Sequence, residues 1–251
     1  KPDELRTLID GMMIDALRSA LGTSWGMEET PGFLQSARAQ VQLTGPTGRF
    51  FNFADGGEGP SLQVPLFWFA CELEAPGLLH QQREILTARL QSQSSRSPGI
   101  LPMLWWPEGL SAASPPQLPL AWHGQGPNPV AVFRSSWADP EALYLACKGG
   151  SAAISHAHMD AGSFVFEANG VRWAVDLGAQ GYQSIEQYGL GIWDRRQHAD
   201  RWRIFRVGPY SHNILLIDQR PQDATTKADI RKLAKEGDHV HGIVDLSPVH
   251  P

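Results

Sequence analysis

Hydrophobic positions along the chain change their period near its middle. In LRTLIDGMMIDALRSALG, Leu5, Leu8, Ile9, Met12, Met13, Ala16, Leu17, Ala20 and Leu21 recur at the three-four spacing of one buried helix face, and Gly22 is a natural stop. LQVPLFWFACELEA, residues 62–75, is apolar nearly all round. That is the pattern of a helix inside a helical assembly, and Pro65 sits near its start. GLLHQQREILTARLQS, residues 77–92, sets Leu78, Leu79, Ile85, Leu86 and Leu90 among polar residues and predicts a further helix. Residues 45–60 between them read as loop, punctuated by Gly45-Pro46 and Asp55-Gly56-Gly57.

From residue 94 to 119 the prolines at 98, 102, 107, 115, 116 and 119 oppose continuous helix. Beyond them the period becomes two. VAVFRS (130–135), ALYLACK (142–148), SFVFEA (163–168), VRWAVD (171–176), WRIFRV (202–207) and NILLID (213–218) are strand-like runs divided by turn residues. Strand after strand without intervening helices predicts antiparallel pairing. The chain is therefore expected to be an α+β multidomain protein. Its helical domain covers 1–95, a Pro-rich connection 96–121 and an antiparallel β domain 122–251.

The sharpest local prediction is a hairpin closed by Asn169-Gly170, a two-residue turn that matches strand twist. It sets Glu167 opposite Arg172, Phe166 opposite Trp173, and Ser163 opposite Asp176. One face then carries Phe164, Phe166, Trp173 and Val175, the other Ser163, Glu167, Arg172 and Asp176.

Composition narrows the classes. A 251-residue chain with 42% hydrophobic and 19% charged residues is folded, and its net charge of −5 gives no general attraction to nucleic acid or anionic lipid. No apolar run reaches membrane-spanning length. Two distant cysteines, Cys71 and Cys147, support neither a disulfide scaffold nor a cysteine zinc site. Nine Trp and ten Phe supply either core or flat faces for sugars. The first residue is Lys1, as expected of a processed product or a piece of something longer.

Candidate chemistry gathers in SHAHMDAGSF, residues 155–164. If this segment is extended, His156 and His158 point to the same side. The predicted hairpin returns Asp176 to the same end of the sheet, and His212 opens a later run. Two imidazoles and a carboxylate suit zinc, while histidine and aspartate at strand ends also simply satisfy backbone groups. DRRQHADRWRIFR, residues 194–206, offers five arginines either to an anionic ligand or to neighbouring acids. Phosphate-cradling glycine loops and a GxSxG elbow are absent from the sequence.

SHAHMDAGSFVFEANGVRWAVDLGAQGY, followed by DRRQHADRWRIFRVGPYSHNILLID, resembles the heparinase II/III-like polysaccharide lyases. LIDGMMIDALRSALGTSWGMEETPGF and LTGPTGRFFNFADGG resemble the end of that family's helical domain. The resemblance implies the end of an (α/α) toroid followed by an antiparallel β-sandwich, with the active site in the cleft between them. It implies β-elimination at a uronic acid and an anionic polysaccharide or oligosaccharide as partner, with no nucleic acid or membrane insertion. Carried over by position, His158, Asp176 and His212 match the zinc ligands, the single zinc being mainly structural, and His156 matches the catalytic histidine that faces substrate. Tyr182, Arg195 and Arg196 are expected to bind substrate, and a periplasmic or secreted location follows. The family's acid/base tyrosine comes from a segment ahead of the first helix. Here that stretch is KPDELR, and no tyrosine precedes Tyr144. The chain is thus either a lyase piece, a member lacking that tyrosine, or a non-catalytic carbohydrate- or partner-binding fragment that keeps the fold and zinc site.

Overall fold

A computed structural model describes residues 2–92, 99–108, 114–236 and 239–250. The chain divides into two compact units. The first comprises residues 1–42 and 60–118, the second 43–59 and 119–251. The loop at 43–59, which the sequence reading assigns to the helical domain, packs within the second unit.

Unit one is helical. Helix α1 spans Pro2–Leu21 and ends at Gly22, whose φ of 74° is a conformation glycine adopts without strain. α2 covers Ser36–Gln42, α3 Pro65–Glu72 and α4 His80–Gln91. Pro65 occupies the first turn of α3, where its missing N–H leaves no bond unmade. Every residue from Pro65 to Ala70 is buried, as the all-round apolar pattern predicts. α1 departs from its predicted face. Ile14 is buried, but Ile9, Met12, Met13 and Leu21 are exposed. It approaches α3 closely at Gly11, which lies against the Trp68 ring, where an added Cβ would be 3.2 Å away. Asp15 accepts the indole N–H of Trp68 at 2.9 Å and of Trp105 at 2.6 Å. Arg18 donates to Glu72 and Glu28, each at 2.7 Å. A one-turn helix α5, Leu101–Leu104, interrupts the Pro-rich region; residues 96–98 and 109–113 of that predicted connection, and 93–95 before it, lie outside the described residues.

Unit two is built on a five-stranded antiparallel sheet in the order β1-β2-β3-β4-β5. Its strands are Ala121–Gly124, Val130–Arg134, Tyr144–Lys148, Phe164–Ala168 and Val171–Ala174. β6 (Asp229–Glu236) and β7 (His239–Asp245) form a separate pair. Helices together with an antiparallel sheet make the chain α+β, as predicted. Leu43 and Phe51 pack with Val130, Val132, Tyr144, Ala146 and Val165 in the sheet's core.

The Asn169-Gly170 turn forms with φ of 52° and 70°, and Glu167 pairs with Arg172 as the two-residue loop requires. A register shift between Phe166 and Glu167 then puts Phe166 opposite Ala174, not Trp173. The burial of the two faces is the reverse of ordinary amphipathic packing. Ser163, Glu167, Arg172 and Asp176 are buried, whereas Phe164, Trp173 and Val175 are exposed. The loop at 43–59 explains this. Arg172 donates to Glu167 at 2.8 Å and to the carbonyls of Phe50 (2.7 Å) and Arg49 (2.8 Å), and Glu167 also accepts the Thr47 N–H at 3.0 Å. A buried polar face is stable when its groups find partners, and the inserted loop supplies them.

Two expected strands are absent. WRIFRV begins in a 3-10 turn, Asp200–Arg203, because buried Arg201 spends its guanidinium on the carbonyls of Ile192 and Ala157, both at 2.5 Å. In NILLID, Asn213 donates to the carbonyls of Phe164 (2.9 Å) and Val175 (2.8 Å). Asp218 and Gln219, with φ of 51° and 56°, then turn the chain sharply, leaving only an isolated bridge from Ile217 to Arg220.

Candidate functional site

The segment holding His156 and His158 is not a strand. It is a sequence of turns in which His156 takes a left-handed φ of 60°, an uncommon conformation for a residue with a side chain. Its neighbours fix it in place. Arg201 holds the Ala157 carbonyl, and the Met159 N–H donates to the Val207 carbonyl at 2.9 Å. Under it lies an apolar cluster that includes Met159, Ile185, Ile192, Trp202 and Val207.

Both histidines reach one carboxylate, Asp55, on the inserted loop. The Nδ1–H of His156 donates to Asp55 Oδ2 at 2.7 Å, and His158 Nε2 lies 3.3 Å from Oδ1. The Tyr182 hydroxyl, from the start of α6 (Tyr182–Glu186), also donates to Oδ2, and it stands 3.0 Å from His156 Nδ1. Burial pushes the Asp55 carboxyl up, but the bonds from His158, Tyr182 and His156 outweigh it and hold it at about 2. Burial and the bond to Asp55 push the Tyr182 phenol up to about 12, so at neutral pH it keeps its proton. The side chain of His156 is 46% exposed and that of His158 is 1% exposed. One ring faces solvent and the other is sealed.

His158 also neighbours His212, with ring centroids 5.3 Å apart. His212 Nδ1–H donates to Asp176 Oδ2 at 2.7 Å, while Asp176 Oδ1 accepts the Gly178 N–H at 2.8 Å. The structure therefore brings His158, Asp176 and His212 into one buried neighbourhood. Among the described residues, His158 Nδ1 and His212 Nε2 are buried with no hydrogen-bond partner. Each belongs to an imidazole whose other nitrogen rests on a carboxylate, the usual state of a metal-ligating histidine. These donor types fit zinc. As the side chains stand, Asp176 is turned onto His212, and no set of three or more His, Cys, Asp or Glu among the described residues is arranged to hold a metal ion.

Asp160, two residues after His158, is fully buried against Lys148, nitrogen to oxygen 2.5 Å. Burial raises the carboxyl's pKa, but the Lys148 ammonium outweighs it and leaves the group below the ordinary carboxylate range. Asp160 Oδ2 lies 3.4 Å from the Ala54 N–H, and Asn52 donates to the Asp176 carbonyl at 3.0 Å. Both contacts seat the loop that presents Asp55.

The two arginines expected to bind substrate stand apart from these bonds. Arg196 closes a fork on Asp194, 2.6 Å at its shortest, and Arg195 is exposed. The aromatic beside His156 is Tyr182, with ring centroids 6.3 Å apart, and Trp193 stands edge-on to Tyr182 with centroids 5.1 Å apart. Asp55 is the residue sequence reasoning missed. It reads as turn punctuation in FADGG, and no periodicity links it to histidines a hundred positions away.

Comparison with known proteins bears on the fold and the family. Residues 130–242 match the family model described as heparinase II/III-like, C-terminal. Curated protein sequences give no match. Among solved structures, the chain is similar to a heparan sulfate lyase HepC mutant from Pedobacter heparinus, with a TM-score of 0.55 and 17% identity over 93% of this chain. The match covers 32% of that chain, so this sequence spans about a third of its length. The matched stretch, which holds β2 to β5 with His156, His158, Asp176, Tyr182 and His212, is thus heparinase II/III-like.

Proposed function

We propose that the chain is part of a polysaccharide lyase that cleaves a uronic-acid-containing, anionic polysaccharide of glycosaminoglycan or alginate type by β-elimination. The observation that carries this reading is the solvent-facing His156 held beside the Tyr182 hydroxyl on one carboxylate, within a heparinase II/III-like domain. In β-elimination a base takes the proton from C5, and its bonding pair forms the C4–C5 double bond. The C4–O4 bond then breaks, and a proton is delivered to O4. His156 is assigned the abstraction and Tyr182, which keeps its proton at neutral pH, the delivery. The mutual bonds to Asp55 place the two groups within one proton's reach of each other. Zinc held by His158, Asp176 and His212 would order this wall and add positive charge beside it. The neighbour's name supports a sulfated uronate polymer, which would be met in the periplasm or outside the cell. No helix among the described residues is long and apolar enough to cross a membrane.

The test is absorbance of the unsaturated uronate during incubation with heparan sulfate, chondroitin sulfate, hyaluronan and alginate. The expected result is product from at least one polymer and loss of about 100-fold or more in kcat for His156→Ala and Tyr182→Phe. Binding by calorimetry with no product from any polymer would instead establish a carbohydrate-binding module.

A further inference from the structure

His156 is exposed, left-handed and on a turn, so packing alone does not choose which way its ring points or which nitrogen carries the proton. Its Nδ1 meets Asp55 Oδ2 at 2.7 Å and the Tyr182 hydroxyl, which itself donates to Asp55, at 3.0 Å. An ionised carboxylate has no proton to give, so the hydrogen of this bond lies on Nδ1. Among the described residues no hydrogen-bond partner meets the opposite nitrogen, Nε2. Asp55 is held in its turn. Ala54, with φ of 52°, precedes it, and the loop is seated by Asn52 on the Asp176 carbonyl. His156 itself and Ala54, the residue before Asp55, thus both take left-handed conformations beside this bond, a pattern concentrated at sites where geometry serves function.

We propose that Asp55 is a positioning residue. By accepting the Nδ1–H of His156 it fixes that tautomer and ring orientation, and it leaves Nε2 bare to take the sugar's C5 proton. What Nε2 accepts rests on the lyase reading above; the tautomer does not. In the full reaction the proton moves from C5 to Nε2, giving an imidazolium whose charge the Asp55 carboxylate offsets. Restoring the neutral ring then requires release of that same proton, so Asp55 is never protonated. Tyr182 shares the acceptor oxygen, which couples the phenol's position to that of the ring.

Two measurements on the full chain test this. Long-range proton–nitrogen correlation spectra, recorded at alkaline pH where the ring signals no longer change with pH, should show His156 as the Nδ1–H tautomer. Asp55→Ala should shift it toward the Nε2–H form that free imidazoles favour. Asp55→Asn, which keeps an acceptor oxygen, should retain Nδ1–H. In turnover, Asp55→Ala should lower kcat by about 10- to 100-fold with KM little changed, and Asp55→Asn should recover part of it. A wild-type Nε2–H tautomer, or a tautomer unmoved by Asp55→Ala, overturns the proposal. If the alanine variant does not fold, the wild-type and asparagine spectra still decide. Absence of unsaturated product from the wild-type chain alongside the Nδ1–H tautomer would overturn the lyase reading and leave the Asp55 assignment standing.

Discussion

Lys148 and Asp160 carry opposite charges into the interior of the second unit, with side chains 1% and 0% exposed. Removing a charge from water costs several kcal/mol, which its partner recovers only while both are present. Lys148→Met is therefore expected to lower unfolding free energy by about 3–5 kcal/mol in urea titration, by stranding Asp160 without a counter-ion. Lys148→Met combined with Asp160→Leu should recover much of that loss, because the apolar pair leaves no buried charge. A single variant as stable as the wild type would show that the lysine reaches solvent. The same residue-scale logic separates the two histidines of SHAH. His158 is sealed and His156 exposed, although they are two positions apart, because the left-handed turn at 156 replaces the extended geometry that equal spacing suggests.

The elements were legible where local chemistry determines them. Pro65 at a helix start, Gly22 at a helix end, and Asn169-Gly170 between strands each specify a backbone conformation through their own side chains, and each does so in the structure. The hairpin's inverted burial was not legible, because it depends on Thr47, Arg49 and Phe50, which lie more than a hundred residues earlier. WRIFRV and NILLID alternate like strands but are diverted by Arg201 and Asn213, whose carbonyl partners no window of sequence contains. β6 and β7 escaped for the opposite reason: Arg231, Lys232 and Lys235 give DIRKLAKE a polar reading. That His156, His158, Asp176 and His212 lie near one another was legible through resemblance, but the part of Asp55 was not. At this scale Gly45→Ala is a sharp probe. Its Cβ would lie 2.4 Å from both Glu167 carboxylate oxygens, which Arg172 pins in place. The expected loss is about 1–3 kcal/mol, with thermal unfolding as the measurement. An unchanged melting temperature would mean the loop does not dock on the hairpin as described.

At the scale of the molecule, metal is expected to act through stability more than through chemistry. Zinc present at about 100 times its Kd should add about 2.7 kcal/mol to the second unit's unfolding free energy, and a chelator should remove it. His212→Ala should abolish both the shift and about one zinc per chain in elemental analysis. A melting temperature indifferent to zinc and chelator would count against the site. The division into two units has another consequence, which concerns where the chain can be cut. The family match begins at residue 130 and the Pro-rich boundary invites a break near 119, yet the packing unit begins again at 43. A truncated chain starting at 119 would contain every matched residue. It would lack Leu43 and Phe51 from the sheet's core, the carbonyls that receive Arg172, and the carboxylate that receives His156. Such a piece should behave as a sheet with a hollow core and an unanchored base. A cut at 119 keeps the stretch recognisable by descent but not the stretch that packs as a unit, and what it loses is the seventeen residues 43–59, written in the sequence ahead of helices α3 to α5.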